Sequence, residues 1–274
     1  MNSNYLDYLY NGYTNADLVR GYESLWNRPY PDVIQVNKFP IHFDKSAKKI
    51  LVTLSGGADS AILFYMLAKL IFDLKIETKL YAVTVSRFYK TKPWLEISAN
   101  KVFEYVKNKF PTVVIEQYWG FMPPTLETVT LKEINVKHIK GDYADVLYMT
   151  EYQDYLIKKH NFDYVYSGTT MNPDIENGPT FREPSQIKEN WFWVVAGKSI
   201  NPFGMLKKNF TIAQYHNYNV LDLFELTRSC EGDIKTFGNV YKDNNKIPPV
   251  CGECFFCKER KWGDDNKQEF LNVN

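Results

Sequence analysis

Lys49-Ile50-Leu51-Val52-Thr53-Leu54-Ser55-Gly56-Gly57-Ala58-Asp59-Ser60 (KILVTLSGGADS) is the stretch that decides how this chain folds. Lys49–Leu54 is an apolar run of strand length. Paired glycines behind it let the backbone bend tightly and offer bare N–H groups to an anion. Ser55 and Ser60 add hydroxyl donors, and the N-terminus of a following helix favours negative charge. Asp59 is a carboxylate beside that anion site, which calls for a metal ion between the two, such as the Mg²⁺ of a bound nucleotide. The alternative is an ordinary Gly-rich strand–helix turn.

Working outward, the chain alternates strand and helix. After the turn, Leu63, Met66, Leu67, Leu70, Ile71 and Leu74 recur at the spacing of a core-facing helix. Leu80–Val85 (LYAVTV) is a continuous apolar run, as in a buried parallel strand. A helix is expected from Trp94 to Lys109, ended by Pro111. Thr112–Gln117 reads as the third strand, Tyr143–His160 as a helix and Phe162–Ser167 as the fourth strand. Gly168–Asn190 is a long polar loop, Phe192–Ala196 a short strand, and Thr211–Tyr218 a helix. Such alternation predicts an α/β fold, a twisted parallel sheet with helices on both faces. Ligands bind at the carboxyl ends of its strands, so Ser55–Ser60 and the loops after Val85 and Ser167 should converge on one crevice.

The domain organisation expected is an N-terminal extension over 1–48, an ATP-binding α/β domain over 49–229 and a metal-binding segment over 230–274. Residues 1–48 read as irregular with some helix, one turn capped near Asn15–Leu18. A net charge of +1 supplies no basic field for nucleic acid, so no direct nucleic-acid binding is expected. Asp59, Lys69 and Asp73 interrupt the longest apolar segment, Ala58–Leu74, which rules it out as a membrane span. No basic stretch and apolar run open the chain, so a soluble, cytoplasmic protein is expected.

The four cysteines are Cys230, Cys251, Cys254 and Cys257, three of them in C-x-x-C-x-x-C. Four thiolates and no spare fit a closed tetrahedral Zn²⁺ site of structural role. A 4Fe–4S cluster, which also takes four thiolates, is the alternative. Disulfides are disfavoured by this spacing in a cytoplasmic enzyme.

SGGxDS resembles the pyrophosphate-binding PP-loop of ATP pyrophosphatases, which split ATP at the α-phosphate. Together with the cysteine pattern it resembles the 7-cyano-7-deazaguanine synthase family, over roughly residues 49–262. Asn201-Pro202-Phe203 followed by Lys208, and Cys257-Lys258-Glu259-Arg260, look like further stretches of that family. The family's Pro-Gly-Arg-Asn stretch has no counterpart in Lys137–Asp145, and the Cys230–Cys251 loop looks longer than usual.

The resemblance implies an adenine nucleotide alpha hydrolase-like (Rossmann-like) fold and a ligase. Such an enzyme converts 7-carboxy-7-deazaguanine to the nitrile with ATP, Mg²⁺ and ammonia. It implies ATP contacts from Leu54, Ser55, Gly56, Gly57, Ala58, Asp59, Ser60, Val85, Gly168 and Lys208. Asp59 would hold the metal, and Asp59, Ser60 and Lys208 would carry the catalysis. Lys208 would reach phosphate oxygens; Lys207 in its place, or a solvated surface Lys208, are the alternatives. Thr169, Asn172, Asp174 and Arg182 would face the deazaguanine carboxylate, or form only a polar surface loop. A homodimer is the assembly the resemblance suggests. Two rival readings stand beside it, a tRNA-thiolating PP-loop enzyme and a relative with another acceptor in a phage or defence pathway.

Overall fold

The computed structural model describes residues 33–36, 39–86, 95–121, 153, 155–173, 199–204, 206–230 and 250–271. Five parallel strands form the sheet: β3 (Lys49–Thr53), β4 (Lys79–Ser86), β5 (Ile115–Phe121), β6 (Tyr164–Tyr166) and β7 (Ser199–Ile200). They follow β1 (Val33–Val36) and β2 (Phe39–His42), an antiparallel hairpin outside the sheet. The spatial order is β5-β4-β3-β6-β7. Chain direction across the sheet therefore reverses between β3 and β6, and KILVTL sits in the middle strand beside that reversal.

Side chains of β3 alternate between two cores, as the period of two in a strand demands. Ile50 and Val52 join the larger cluster with Leu80 and Ala82 of β4 and Tyr164 and Tyr166 of β6. Leu51 joins Tyr81, Val83 and Val165 in a smaller cluster completed by Leu156, Ile157 and Phe162. Helix α1 (Ala58–Leu74) and α2 (Leu95–Lys109) cover the first face, and helical residues 155–160 lie on the second. The doubly covered parallel sheet expected from the alternation is the one observed.

Three local expectations are corrected. The single apolar stripe read on α1 is too narrow, because Ala58 and Ser60 through Ala68 are all buried. The helix lies between the sheet and α2, α3 (Lys208–Asn217) and α4 (Leu221–Glu225), so nearly its whole circumference meets protein. The third strand starts at Ile115 rather than Thr112, since the chain first closes a turn after Pro111 in which the Val113 N–H donates to Phe110 O at 3.0 Å. The helix expected over Thr211–Tyr218 begins at Lys208, three residues ahead of Thr211.

The N-terminal segment is also more than an added piece. Ile41, Phe43 and Ala47 are buried in the main core, and Thr78 Oγ1 donates to Ala47 O at 2.8 Å. The expected helix near Asn15–Leu18 and the strand Phe192–Ala196 lie outside the described residues. Helix α5 (Phe255–Asp265), which carries Cys257 and is N-capped by Cys254, and a 3-10 turn (Lys267–Phe270) pack on α3. Among the described residues, no helix is long and apolar enough to cross a membrane.

Candidate functional site

The turn after β3 is built as its residue types require. Leu54 is fully buried and its N–H donates to Val83 O at 2.8 Å, which keeps the strand in register up to the bend. Gly56 then takes φ +74°, and a Cβ there would stand 2.7 Å from Leu95 O and 2.8 Å from Ala99 N. Only glycine meets both demands. Ser60 ties the turn from inside: its Oγ accepts from the Ser55 N–H at 3.1 Å and donates to Gly57 O at 3.2 Å. Gly57 is the N-cap of α1 and supplies no side-chain cap. The amides of Ala58, Asp59 and Ser60 therefore begin a helix with no acceptor of their own inside it. They lie at the carboxyl end of the central strand, with exposed Ser55 beside them. In an open parallel sheet the reversal point between neighbouring strands is where ligands bind, and β3 and β6 flank it here.

The loop after β6 reaches this turn, as expected. A Cβ on Gly168 would stand 2.8 Å from Asp59 O, so only a residue without one lets the two backbones pass. Val85, 7% exposed, is the penultimate residue of β4; residues 87–94 after that strand are outside the described residues.

Asp59 is the most heavily contacted side chain of the site. Thr211 Oγ1 donates to its Oδ1 at 2.7 Å and Thr170 Oγ1 to its Oδ2 at 3.2 Å. Lys208 Nζ forms an ion pair with the same Oδ2. Lys208 is only 3% exposed, so the solvated surface lysine is excluded, and its second ion pair is with Glu259 Oε2 at 3.3 Å. Lys207 instead caps α3 with its backbone and pairs with Met171 in a parallel bridge. Tyr215 Oη donates to Ala58 O at 2.5 Å from below. Burial, then the nearby Asp59 charge, push that phenol well above its ordinary pKa, so it remains a proton donor.

Of the residues expected near a substrate, Thr169 and Asn172 are described. Thr169 O accepts from Asn201 Nδ2 at 3.0 Å and its Oγ1 shares a hydrogen bond with Ser167 Oγ at 3.1 Å. Asn172 is 8% exposed, buried rather than presented on a surface loop. Asp174 and Arg182 lie outside the described residues.

The four cysteines come together as their spacing predicts. Sγ atoms of Cys230, Cys251, Cys254 and Cys257 all lie within 4.8 Å of one another, with Cys251 and Cys257 at 3.8 Å. Four thiolates about 2.3 Å from one ion in a tetrahedron are about 3.8 Å apart, so the set fits a single ion. A four-iron cluster places each thiolate on a separate iron and needs a wider cage. Gly252 bends the knuckle at φ +77° with open space around it. Burial alone would raise the Cys251 thiol, but N–H donors from Cys254 and Glu253 with the Cys230 and Cys254 thiols bring it down to about 7. Burial drives Cys257 the other way, with bonds to Cys254 and Cys230 adding to it.

The segment that ends in Cys230 is joined to the glycine turn. The Arg228 N–H donates to Gly56 O at 2.8 Å, and a Cβ on Gly57 would touch Ser229 Oγ at 2.9 Å. Arg260 Nη1 donates to Thr227 O and Oγ1 at 3.1 and 2.9 Å, and Nη2 to Phe224 O at 3.1 Å. Its guanidinium also lies 3.7 Å from the Phe224 ring centroid.

Thr170, Thr211, Tyr215 and Glu259 were not singled out from the sequence. Thr211 carried a signal, since it stands three residues after Lys208 and thus on the same helix face. Glu259 carried none, because it sits inside Cys-x-x-Arg at a position that reads as a spacer.

No family model and no curated protein matches this chain. Among solved structures it is similar to the U34-tRNA thiolase NcsA from Methanococcus maripaludis with its 4Fe–4S cluster. That likeness has 16% identity and a TM-score of 0.44, over 91% of this chain and 71% of that one. It is also similar to NMN synthetase from Francisella tularensis, at 15% identity and a TM-score of 0.42 over 84% of this chain and 89% of that one. NAD⁺ synthetase from Burkholderia pseudomallei aligns at 10% identity and a TM-score of 0.39, over 81% and 82% of the two chains. These scores are too low to carry a functional assignment.

Proposed function

We propose that this protein is an ATP-dependent enzyme that activates an acceptor carboxylate by joining it to AMP, with 7-carboxy-7-deazaguanine as the acceptor and ammonia as the second substrate. The observation that carries this reading is the helix terminus of Ala58, Asp59 and Ser60, with no side-chain cap among the described residues, at the reversal point of the sheet and preceded by Ser55, Gly56 and Gly57. Those N–H groups suit the charge that collects on a departing pyrophosphate. Asp59 is the group for a nucleotide-bound Mg²⁺, and Lys208 stands directly behind it.

A carboxylate resists amines because its oxygen is a poor leaving group. In the proposed sequence the acceptor oxygen attacks the α-phosphorus, the bond to pyrophosphate breaks, and an acyl-adenylate forms. Ammonia adds to the acyl carbon, AMP leaves and a proton is released, giving the amide. The amide oxygen then attacks the α-phosphorus of a second ATP with loss of pyrophosphate and one N–H proton, and loss of AMP and the second N–H proton gives the nitrile. No protein nucleophile is consumed. Thr169 and Asn172 belong to the wall on the acceptor side, and Zn²⁺ in the four-cysteine site holds structure.

The test is incubation with ATP, Mg²⁺, ammonium and 7-carboxy-7-deazaguanine, followed by mass spectrometry. Amide and nitrile, each with AMP and pyrophosphate, are the expected products. Pyrophosphate released without either product replaces the acceptor and leaves the phosphate site standing. Sulfur transferred to tRNA in a parallel assay would favour the thiolase reading instead.

A further inference from the structure

Side-chain donors among the described residues load the two oxygens of Asp59 unequally. Oδ2 takes the Lys208 ammonium and Thr170 Oγ1 at 3.2 Å, whereas Oδ1 takes Thr211 Oγ1 at 2.7 Å. The donor on Oδ1 has a second acceptor in reach. Thr211 Oγ1 stands 3.0 Å from Lys208 O, the carbonyl three residues back on α3, a back-bond that threonine readily makes inside a helix. A hydroxyl carries one hydrogen, so Thr211 serves one of these acceptors at a time. Passing the hydrogen between them rotates the O–H bond and moves no heavy atom. Thr211 is fully buried, so bulk water offers no third acceptor.

Thr170 differs: among the described residues its Oγ1 donates to Asp59 Oδ2 and has no alternative acceptor. The surroundings keep Thr211 between its two. Lys208, Thr211 and Tyr215 stand at i, i+3 and i+7 on α3 and so share a face. All three donate to the first turn of α1, to Asp59 Oδ2, Asp59 Oδ1 and Ala58 O in that order.

We propose that Thr211 is a hydroxyl switch for Asp59, a positioning residue that holds Oδ1 until the divalent cation of a nucleotide takes that oxygen, and then passes its hydrogen to Lys208 O. This rests on the reading above that Asp59 meets that cation. Oδ1 is the oxygen yielded, because Oδ2 keeps its donors. The second acceptor spares the exchange the cost of leaving a buried hydroxyl hydrogen unpaired. A hydrogen bond to a carboxylate is stronger than one to a peptide carbonyl, so Thr211 stabilises the cation-free side chain more than the cation-bound one. Removing the hydroxyl therefore favours the cation. A threonine that held Asp59 equally in both states, and readied it for the cation, would act in the opposite direction.

The test is binding of a non-hydrolysable ATP analogue to the full, metal-replete chain by calorimetry, across a Mg²⁺ series. Thr211→Val keeps the shape, removes the hydroxyl and lowers the Mg²⁺ midpoint about fivefold, the difference between a charged and a neutral acceptor. Thr211→Ser keeps the hydroxyl and the wild-type midpoint. Thr170→Val removes a hydroxyl that stays on Oδ2 throughout, and leaves the midpoint at the wild-type value or raises it. An unchanged or raised midpoint in Thr211→Val overturns the inference. So does a fall of equal size in Thr211→Ser or Thr170→Val. Should Thr211→Val fail to fold, Thr211→Ala decides by the same sign. A wild-type chain that binds the analogue equally well with and without Mg²⁺, or not at all, overturns the reading of Asp59 as the group for the cation, and the inference with it.

Discussion

The backbone N–H of Arg228 donates to the carbonyl oxygen of Gly56 at 2.8 Å, joining the segment that ends in Cys230 to the left-handed residue of the phosphate turn. Gly56 holds its conformation because the turn is gripped from two sides, by α2 and by this strand of backbone. The segment that ends in Cys230 is thus tied by a backbone hydrogen bond to the carbonyl of the first glycine of the turn.

Glycines in the site should separate by what a methyl group would meet. Gly168→Ala drives a Cβ onto the Asp59 backbone at 2.8 Å, and backbone cannot give way cheaply. The expected loss is about 2 kcal/mol, read by urea unfolding, with weaker ATP binding by calorimetry. Gly57→Ala meets only the Ser229 hydroxyl at 2.9 Å, the end of a side chain that can rotate. Its stability should fall by less than about 1 kcal/mol. Equal losses in the two variants would refute this account of the close approach.

Arg260→Ala removes the donors to Thr227 O, Thr227 Oγ1 and Phe224 O, together with the stacking on Phe224. Leaving several acceptors unsatisfied should cost about 2–4 kcal/mol in chemical unfolding. Arg260→Lys should recover little, since an ammonium cannot span both carbonyls and lie flat on the ring. Full recovery by lysine would mean that only the charge matters.

Metal analysis of the purified chain should find about one zinc per chain and no absorption near 400 nm. Cys254→Ser should lower metal content and melting temperature. Protons compete with the ion for thiolates, so the metal-dependent part of stability should be present in mild alkali and decline toward acid pH. The Cys251 thiolate runs the same way: with its pKa depressed from 9.0 to about 7, its contribution is complete above 9.0 and lost as pH falls through about 7. A melting temperature insensitive to chelator would remove the structural role.

Asp59→Asn preserves shape but removes the charge that would meet a nucleotide-bound cation. Pyrophosphate release should fall by about a hundredfold or more. Folding should persist, because Lys208 keeps its pair with Glu259. Retention of full turnover would dismiss Asp59 as the metal group.

The glycine turn and the cysteine set were legible for the same reason. Each is a short stretch whose chemistry is local: Gly56 and Gly57 shape a bend, and Cys251, Cys254 and Cys257 reach one ion across two-residue gaps. The parallel sheet was legible through the apolar runs of β3 and β4. The position of β5 was not, because the turn after Pro111 is closed by a backbone hydrogen bond that leaves no trace in hydrophobicity. The burial of α1 on nearly all sides was missed for a related reason. Periodicity reports one apolar face, and the partners on the other faces come from α3 and α4, more than a hundred residues away.

SGGADS by itself determined that a strand ends in a tight glycine turn and opens into a helix, because glycine conformation and helix-terminal amides are properties of neighbouring residues. What Asp59 touches was decided only by the tertiary structure. Its partners Thr170, Lys208 and Thr211 are brought by β6 and α3, and Lys208 in turn by Glu259 of α5, from 111 to 152 positions along the chain for the three direct partners. Charge pairing acts through space over a few ångströms, and only the folded sheet and its covering helices bring those distances about.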